Sequence, residues 1–242
     1  MGMDVMFVLF VMFISTLVRS TFGFGDALIG MPLLAMTIGV TAATPLMALT
    51  AISIGLLILL RHWRNVQFES TWRLIVATLI GIPLGIYFLK GVDEAVVKIV
   101  LALLIIFFSI FKLINPKLKK LEGEGWSYSV GLIAGMLSGA YNSNGPPIIF
   151  YASLKQWPPI NFRATLQGYF FATGVFVVLG HALVGNYTPI VLKYYVWSMP
   201  VMLLAVYIGG KLHYKIPAEN FIKIIYWLLI LIGLMLLATS FK

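Results

Sequence analysis

The chain has 242 residues, of which 61% are hydrophobic and only 10% are charged. A soluble domain carries about 25% charged residues, so the composition excludes an ordinary soluble protein and indicates an integral membrane protein. The net charge of +9 comes from lysines and arginines that lie between the apolar runs. This placement indicates orientation in a membrane and no nucleic-acid partner. The absence of cysteine, with three histidines and eight carboxylates, predicts no metal site and no cofactor.

The apolar runs predict an all-α membrane protein that contains two repeats, because runs of roughly 20 residues suit spanning helices and do not alternate as barrel strands do. We predict a first repeat of residues 1–115, a cytoplasmic linker of residues 116–125 and a second repeat of residues 126–242. Each repeat has a pair of short apolar pieces, followed by three longer runs. The pairs lie within residues 4–38 and 126–154, and the longer runs are residues 44–60, 71–89 and 94–114, then 163–184, 189–210 and 218–240.

The short pieces are predicted to be half-helices that form re-entrant hairpins. Residues 4–18 would rise about 22 Å and residues 27–38 about 18 Å, against a hydrocarbon core of roughly 30 Å. Two short, tilted crossings are the alternative. The three remaining helices give each repeat an odd number of crossings, which predicts that the second repeat is inverted relative to the first.

The basic residues agree with this inverted arrangement. Lysines of the linker (Lys117, Lys119 and Lys120) and arginines of an earlier loop (Arg61 and Arg64) fall on one side of the membrane. Under the positive-inside rule, that side is cytoplasmic. Hairpins and short crossings leave these loops on the same sides, so the charge pattern does not separate the two models.

Two polar interruptions, residues 19–26 and 141–147, separate the short pieces of each repeat. Non-helical backbone at membrane depth occurs only where it is buried in protein or lines a water-filled cavity, and paired broken segments mark the substrate site of inverted-repeat transporters. Helix N-termini and neutral donors there predict an anion site. The alternative is a pair of packing kinks. The predicted substrate-binding residues are Arg19, Ser20, Thr21, Gly23, Gly25, Tyr141, Asn142, Ser143, Asn144, Gly145, Arg163 and Gln167.

Arg19 and Asp26 are the ionisable residues that the pattern places near mid-membrane. A charge at that depth costs at least ~2.5–3.5 kcal/mol, so it is a functional candidate by default. Arg19 would bind the anion, and Asp26 would neutralise Arg19 in the empty site or carry a coupled proton. The alternative is a structural ion pair that holds the break. Arg163 is explained either by topology or as a cation in a vestibule that Gln167 also lines.

Three segments resemble the TauE/SafE family of membrane exporters. They are Arg19-Ser-Thr-Phe-Gly-Phe-Gly-Asp-Ala-Leu-Ile-Gly-Met-Pro-Leu-Leu, Ala134-Gly-Met-Leu-Ser-Gly-Ala-Tyr-Asn-Ser-Asn-Gly-Pro-Pro, and Phe-Arg-Ala-Thr at residues 162–165. The resemblance implies export of sulfite or organosulfonates such as sulfoacetate across the bacterial inner membrane. Many members have further glycines where this chain has Asp26, a departure that points to proton coupling.

Together these features predict a secondary transporter that works by alternating access. The resemblance implies that it is an exporter and that its substrate is a small sulfur oxyanion. The expected partners are the oxyanion, the lipid bilayer and protons. An anion channel that uses the same site is the first alternative. A membrane-embedded enzyme is a weaker alternative, because the sequence has no cysteine and no intramembrane histidine cluster.

Overall fold

The computed structural model of the protein describes residues 3–62, 71–114, 121, 123, 125–155, 159–212 and 218–240. These residues form ten α-helices and no β-strand, in agreement with the predicted all-α class. The helices are α1 (Met3–Phe22), α2 (Asp26–Ile38), α3 (Val40–His62), α4 (Trp72–Gly91), α5 (Glu94–Ile114), α6 (Trp126–Tyr141), α7 (Gly145–Leu154), α8 (Pro159–Leu183), α9 (Pro189–Leu212) and α10 (Ala218–Ser240).

Six helices of the described residues, α1, α3, α4, α5, α8 and α9, are long and apolar enough to cross a membrane. Their outward faces carry large apolar side chains. Phe107 of α5 is 74% exposed and Leu183 of α8 is 88% exposed. Contiguous apolar surface of this kind is stable against lipid, whereas soluble monomers rarely expose it. The chain is therefore a multi-pass membrane protein.

The first helix is longer than its apolar run predicts. The run ends at residue 18, whereas α1 continues through Arg19, Ser20 and Thr21 to Phe22 and has 20 residues. At 1.5 Å per residue it rises about 30 Å, so its length does not indicate a half-helix. The predicted short length is wrong because Arg19, Ser20 and Thr21 are buried against other helices and continue the helix. The other three pieces are short, with 13 residues in α2, 16 in α6 and 10 in α7.

Helices from the two halves of the chain pack against each other in a regular order. α4 contacts α6 and α1 contacts α9, while α5 packs on α10 and α3 packs on α8. The α4–α6 contact is close because both helices present glycines. A β-carbon added at Gly85 would lie 2.1 Å from the carbonyl oxygen of Met136, and one at Gly135 would lie 2.2 Å from that of Thr78.

Most of the polar connections lie outside the described residues. This applies to Arg64, Lys117, Lys119 and Lys120, and to the side chain of Arg61, on which the predicted orientation depends. The sidedness of the chain therefore stays a prediction.

Candidate functional site

The first break joins α1 to α2 through three residues, two of which have a left-handed backbone. Gly23 has φ 89° and Gly25 has φ 102°, values that residues with a side chain rarely adopt. The amide of Gly23 donates to the carbonyl of Arg19 at 2.7 Å. Because α2 begins at Asp26, the N–H groups of its first turn have no partner within the helix and open towards the break.

The second break joins α6 to α7 through an asparagine in the left-handed region. Asn142 has φ 51°, a conformation that asparagine tolerates better than most residues. Its N–H donates to the carbonyl of Ser138 at 2.8 Å, and the N–H of Ser143 donates to that of Leu137 at 3.1 Å. α7 begins at Gly145 and continues with two prolines, which have no N–H. The N-terminus of α7 thus offers fewer backbone donors than that of α2.

The two breaks line one cavity of ≈ 30 Å³. A water needs about 10–15 Å³ of such space, so the cavity has room for about two waters. The first break and the start of α2 supply one part of the lining, the second break supplies another, and α1, α3, α6 and α8 complete it. The lining residues are Arg19, Phe24, Gly25, Asp26, Ala27, Leu28, Ala51, Ser138, Asn142, Ser143, Asn144, Gly145, Pro146, Phe170 and Gly174.

Arg19 is the cation of this cavity, and three neighbours hold its guanidinium. The residue is only 3% exposed. Its Nη1 donates to Asp26 Oδ2 at 2.7 Å, and its Nη2 donates to Gln167 Oε1 at 3.2 Å. The guanidinium carbon also lies 5.6 Å from the centre of the Phe170 ring, a cation–π distance. A buried charge is tolerated only when it is paired and hydrogen-bonded in this way.

Two buried polar atoms of the cavity lining have no hydrogen-bond partner. They are Nε of Arg19 and Oγ of Ser143, which belong to different halves of the chain. A buried donor without an acceptor costs about 1–3 kcal/mol, and more when it is charged. Acceptor oxygens of a small ligand are one way in which such donors are satisfied.

Asp26 holds the position that an anionic ligand would favour. It is the first residue of α2, is 7% exposed, and pairs with Arg19. Negative charge is stabilised at a helix N-terminus by the backbone dipoles. The Asp26 carboxylate therefore interacts with both the guanidinium of Arg19 and the N-terminus of α2. These are the two groups in the cavity that attract an anion.

Gln167 connects the two halves of the chain behind the cavity. Its amide oxygen accepts from Arg19, and its Nε2 donates to the carbonyl oxygen of Gly23. The side chain is 1% exposed and does not line the cavity. Gln167 therefore lies behind the lining in this structure, bonded to Arg19 and to the first break, and its predicted contact with substrate stays a prediction.

Asn144 is anchored to α8 beside the cavity. Its Nδ2 donates to Thr173 Oγ1 at 3.4 Å, and that hydroxyl donates to the carbonyl of Tyr169 at 2.9 Å. The Tyr169 hydroxyl lies 2.7 Å from Thr78 Oγ1 on α4. Asn144 is therefore bonded to Thr173 and, through the backbone and the side chain of Tyr169, connected to α4.

The remaining predicted residues lie near the cavity or outside the described part of the chain. Ser20 and Thr21 face α9, since a β-carbon added at Gly209 would lie 2.6 Å from Ser20 Cβ and 3.2 Å from Thr21 Oγ1. Tyr141 is 2% exposed within the apolar core. Arg163 belongs to α8, but its side chain is outside the described residues.

Several lining residues were missed because their side chains are not those of typical anion ligands. Phe24 lies inside the first break, and Ser138 lies one turn before the second break. Phe170 and Gly174 follow Gln167 on α8 at intervals of three and four residues, which place them on one helix face. That spacing from Gln167 is the signal in the sequence that would have identified them.

Comparisons with known proteins identify the family of this chain. A family model described as "Sulfite exporter TauE/SafE" matches residues 8–236. A probable sulfite/organosulfonate exporter TauE from Cupriavidus necator is 25% identical over 148 residues, and the alignment spans 58% of each chain. No solved structure shows a significant match. Because the family match covers nearly the whole chain, the protein belongs to the sulfite exporter TauE/SafE family, whose members are exporters and not enzymes.

Proposed function

We propose that this protein is a secondary transporter that exports a small sulfur oxyanion, sulfite or a small organosulfonate, across the bacterial inner membrane. The family supports this class, and the Cupriavidus necator relative is named for the same substrates. The observation that carries the proposal is the cavity at which both breaks meet, with the unpartnered Nε of Arg19 and Oγ of Ser143 in its lining. Its small volume favours an inorganic oxyanion over a long sulfonate.

We propose that the chain consists of two inverted repeats, α1–α5 and α6–α10. The helix contacts support this division because they occur in corresponding pairs. In the proposed division α1 corresponds to α6, and α4 corresponds to α9. The contact of α4 with α6 is therefore the equivalent of the contact of α9 with α1. α5 packs on α10 and α3 on α8, each against its own counterpart. In such a transporter the substrate site lies between the repeats, and rocking of one repeat against the other alternates access.

The bound anion would receive donors of three kinds. Arg19 provides a planar charged donor group that suits an oxyanion, the first turn of α2 provides backbone N–H groups, and Asn142 and Ser143 provide neutral side-chain donors. Gln167 of α8 would hold Arg19 in place, and the bond from Asn144 to Thr173 of α8 would hold the second break. Ser20, Thr21, Tyr141 and Arg163 remain candidates for a second conformation, in which the cavity opens.

Asp26 is the proposed proton carrier. A divalent or monovalent anion that enters beside Arg19 meets the Asp26 carboxylate, and two negative charges close together repel each other in a medium of low dielectric constant. Protonation of Asp26 would remove that repulsion and free one guanidinium N–H for the substrate. Anion and proton would then bind together and cross the membrane together.

Transport by purified protein in liposomes tests the site. Asn142→Gly removes the side-chain amide and preserves the left-handed backbone, whereas Asn142→Ala would strain it. Loss of a hydrogen bond to a charged ligand, worth about 1.5–3 kcal/mol, predicts roughly a tenfold or greater fall in the initial rate of sulfite flux. Ser129→Ala, which removes an exposed polar side chain from α6, the helix that precedes Asn142, is the control. Equal flux in the two variants would refute the site assignment.

The anion-channel alternative differs in the rate of flux. A carrier must change conformation in every cycle, and such domain motions take microseconds to milliseconds or longer, whereas an open channel passes ions without that step. Single-channel currents of sulfite across a planar bilayer that holds the protein would establish a channel. A flux that saturates with sulfite concentration and gives no resolvable current supports the carrier.

A further inference from the structure

A second cavity lies on the lipid-facing side of the protein, between α4 and α8. Its volume is ≈ 510 Å³, and all of its lining residues belong to α4, α8 or the position directly after α8. Its floor is formed where Gly180 of α8 approaches Ile86 of α4. A β-carbon added at Gly180 would lie 2.4 Å from Ile86 Cδ1. The two helices separate on the lipid side of this contact and leave a groove.

The walls of the groove are apolar and exposed. Tyr87 is 80% exposed, Leu179 is 52% exposed and Leu183 is 88% exposed. None of them lines the cavity at the two breaks. A concave apolar surface of this kind holds a flexible hydrocarbon chain better than a convex helix face does, because the chain contacts protein on several sides at once.

One end of the groove carries a cation that is not neutralised. Lys90, in the last turn of α4, donates from Nζ to the carbonyl oxygen of Val184 at 2.6 Å. Within the part of the chain that the structure describes, no carboxylate lies within ion-pair distance of Lys90. The nearby Glu94 pairs with Lys98 at 3.2 Å, and the carboxylate of Asp93 accepts from the N–H of Ala95 at 2.8 Å. Two of the three ammonium donors of Lys90 thus remain available.

We propose that this groove, lined by α4 and α8, is a binding site for an anionic phospholipid. The acyl chain lies along Ile86, Leu179 and Leu183, and the headgroup phosphate lies against Lys90. The positions are compatible with a bilayer, because Lys90 lies in the last turn of a helix long and apolar enough to span it, and the apolar walls belong to α4 and α8. The charge at the end of the groove selects an anionic headgroup over a zwitterionic one.

Native mass spectrometry of the detergent-purified full chain tests this site. Phosphatidylglycerol and phosphatidylcholine with identical acyl chains are titrated against the wild-type protein, Lys90→Gln and Lys193→Gln. Lys193 is the matched control, because it is an exposed lysine that also lies at a helix end and packs on Trp197, at 4.6 Å from the ring centre. A glutamine at position 90 can still donate to the Val184 carbonyl, so the helix ends stay joined.

The wild-type protein and Lys193→Gln are expected to retain phosphatidylglycerol about fivefold more tightly than phosphatidylcholine, the effect of one basic residue at an anionic headgroup. Lys90→Gln is expected to lose that preference. Leu183→Trp, which fills the mouth of the groove, should weaken retention of both lipids. Equal retention of the two lipids by the wild-type protein would overturn the proposal. So would a loss of preference in Lys193→Gln equal to that in Lys90→Gln, or a dimer that Leu183→Trp disrupts, which would assign the groove to a second copy of the chain.

Discussion

The Arg19 guanidinium donates to Asp26 at 2.7 Å through Nη1, while its Nε has no hydrogen-bond partner. The cation is therefore neutralised by the protein, but one of its donors is unpaired. Both residues are buried and line the same cavity. An unpaired buried donor is costly, so a ligand atom that accepts from Nε would relieve that cost.

Asp26→Asn should strengthen anion binding. The Asp26 carboxylate pairs with Arg19, so it would compete with an anion for the guanidinium, whereas asparagine carries no charge and still offers an oxygen that accepts from Arg19. Thermal stabilisation by methanesulfonate at one fixed pH measures this, because ligand binding raises apparent stability. Equal stabilisation of the two proteins would exclude competition between the Asp26 carboxylate and the anion.

Removing Arg19 alone should destabilise the fold, whereas removing the ion pair should not. Arg19→Met leaves the Asp26 carboxylate buried without its cation, at a cost of about 3–5 kcal/mol, but apolar replacement of a whole buried pair is often neutral. The melting temperature of Arg19→Met should fall, and that of the double variant Arg19→Met/Asp26→Leu should return to near the wild-type value. Sulfite flux should be absent from both. Normal flux in the stable double variant would show that the pair is structural only.

Gly25→Ala should strain the first break. The φ of 102° disfavours any side chain, and the added methyl group would lie 3.2 Å from Val18 Cγ1. Backbone strain of this kind costs about 1–3 kcal/mol. Gly91→Ala is the control, because a β-carbon there meets nothing within 4 Å and φ is not positive. Chemical or thermal unfolding compares the two, and equal melting temperatures would contradict the assigned backbone.

Gly135→Ala should separate α4 from α6. Its methyl group would lie 2.2 Å from the carbonyl oxygen of Thr78, and a helix backbone cannot move away as the end of a side chain can. We expect little folded protein, measured as the monodisperse fraction after detergent extraction. A yield and a melting temperature close to those of the wild-type protein would contradict the close α4–α6 contact.

Gly174→Ala should fold normally and narrow the cavity at the two breaks. Its nearest new neighbour would be Ile52 Cβ at 3.9 Å, an ordinary contact distance, and Gly174 lines the cavity. The flux of a bulky sulfonate such as sulfoacetate should fall several-fold more than that of sulfite, because the cavity has room for about two waters. Equal effects on both substrates would show that Gly174 does not limit the size of the anion that the cavity accepts.

The run lengths of apolar residues determined the all-α membrane fold before any contact was known. The predicted run 94–114 coincides with α5, and the run 218–240 coincides with α10. A segment in lipid must form its backbone hydrogen bonds within itself, so a spanning segment is a helix. The length of the apolar run therefore gives the length of that helix. The same rule failed at α1, where Arg19, Ser20 and Thr21 continue the helix. Polar residues buried against other helices do not mark a helix end.

Tertiary structure alone decided how the site residues are combined. Gln167 bonds to Gly23 across 144 positions of the chain and to Arg19 across 148. No periodicity in the sequence encodes such a contact, because it depends on how α8 packs against the first half. Gln167 therefore bonds to Arg19 from behind the cavity, whereas Phe170 and Gly174 line the cavity itself. The sequence by itself identified the two breaks, since glycine, asparagine and proline restrict the local backbone. Whether the breaks meet, and which side chains surround them, depended on packing over the whole chain.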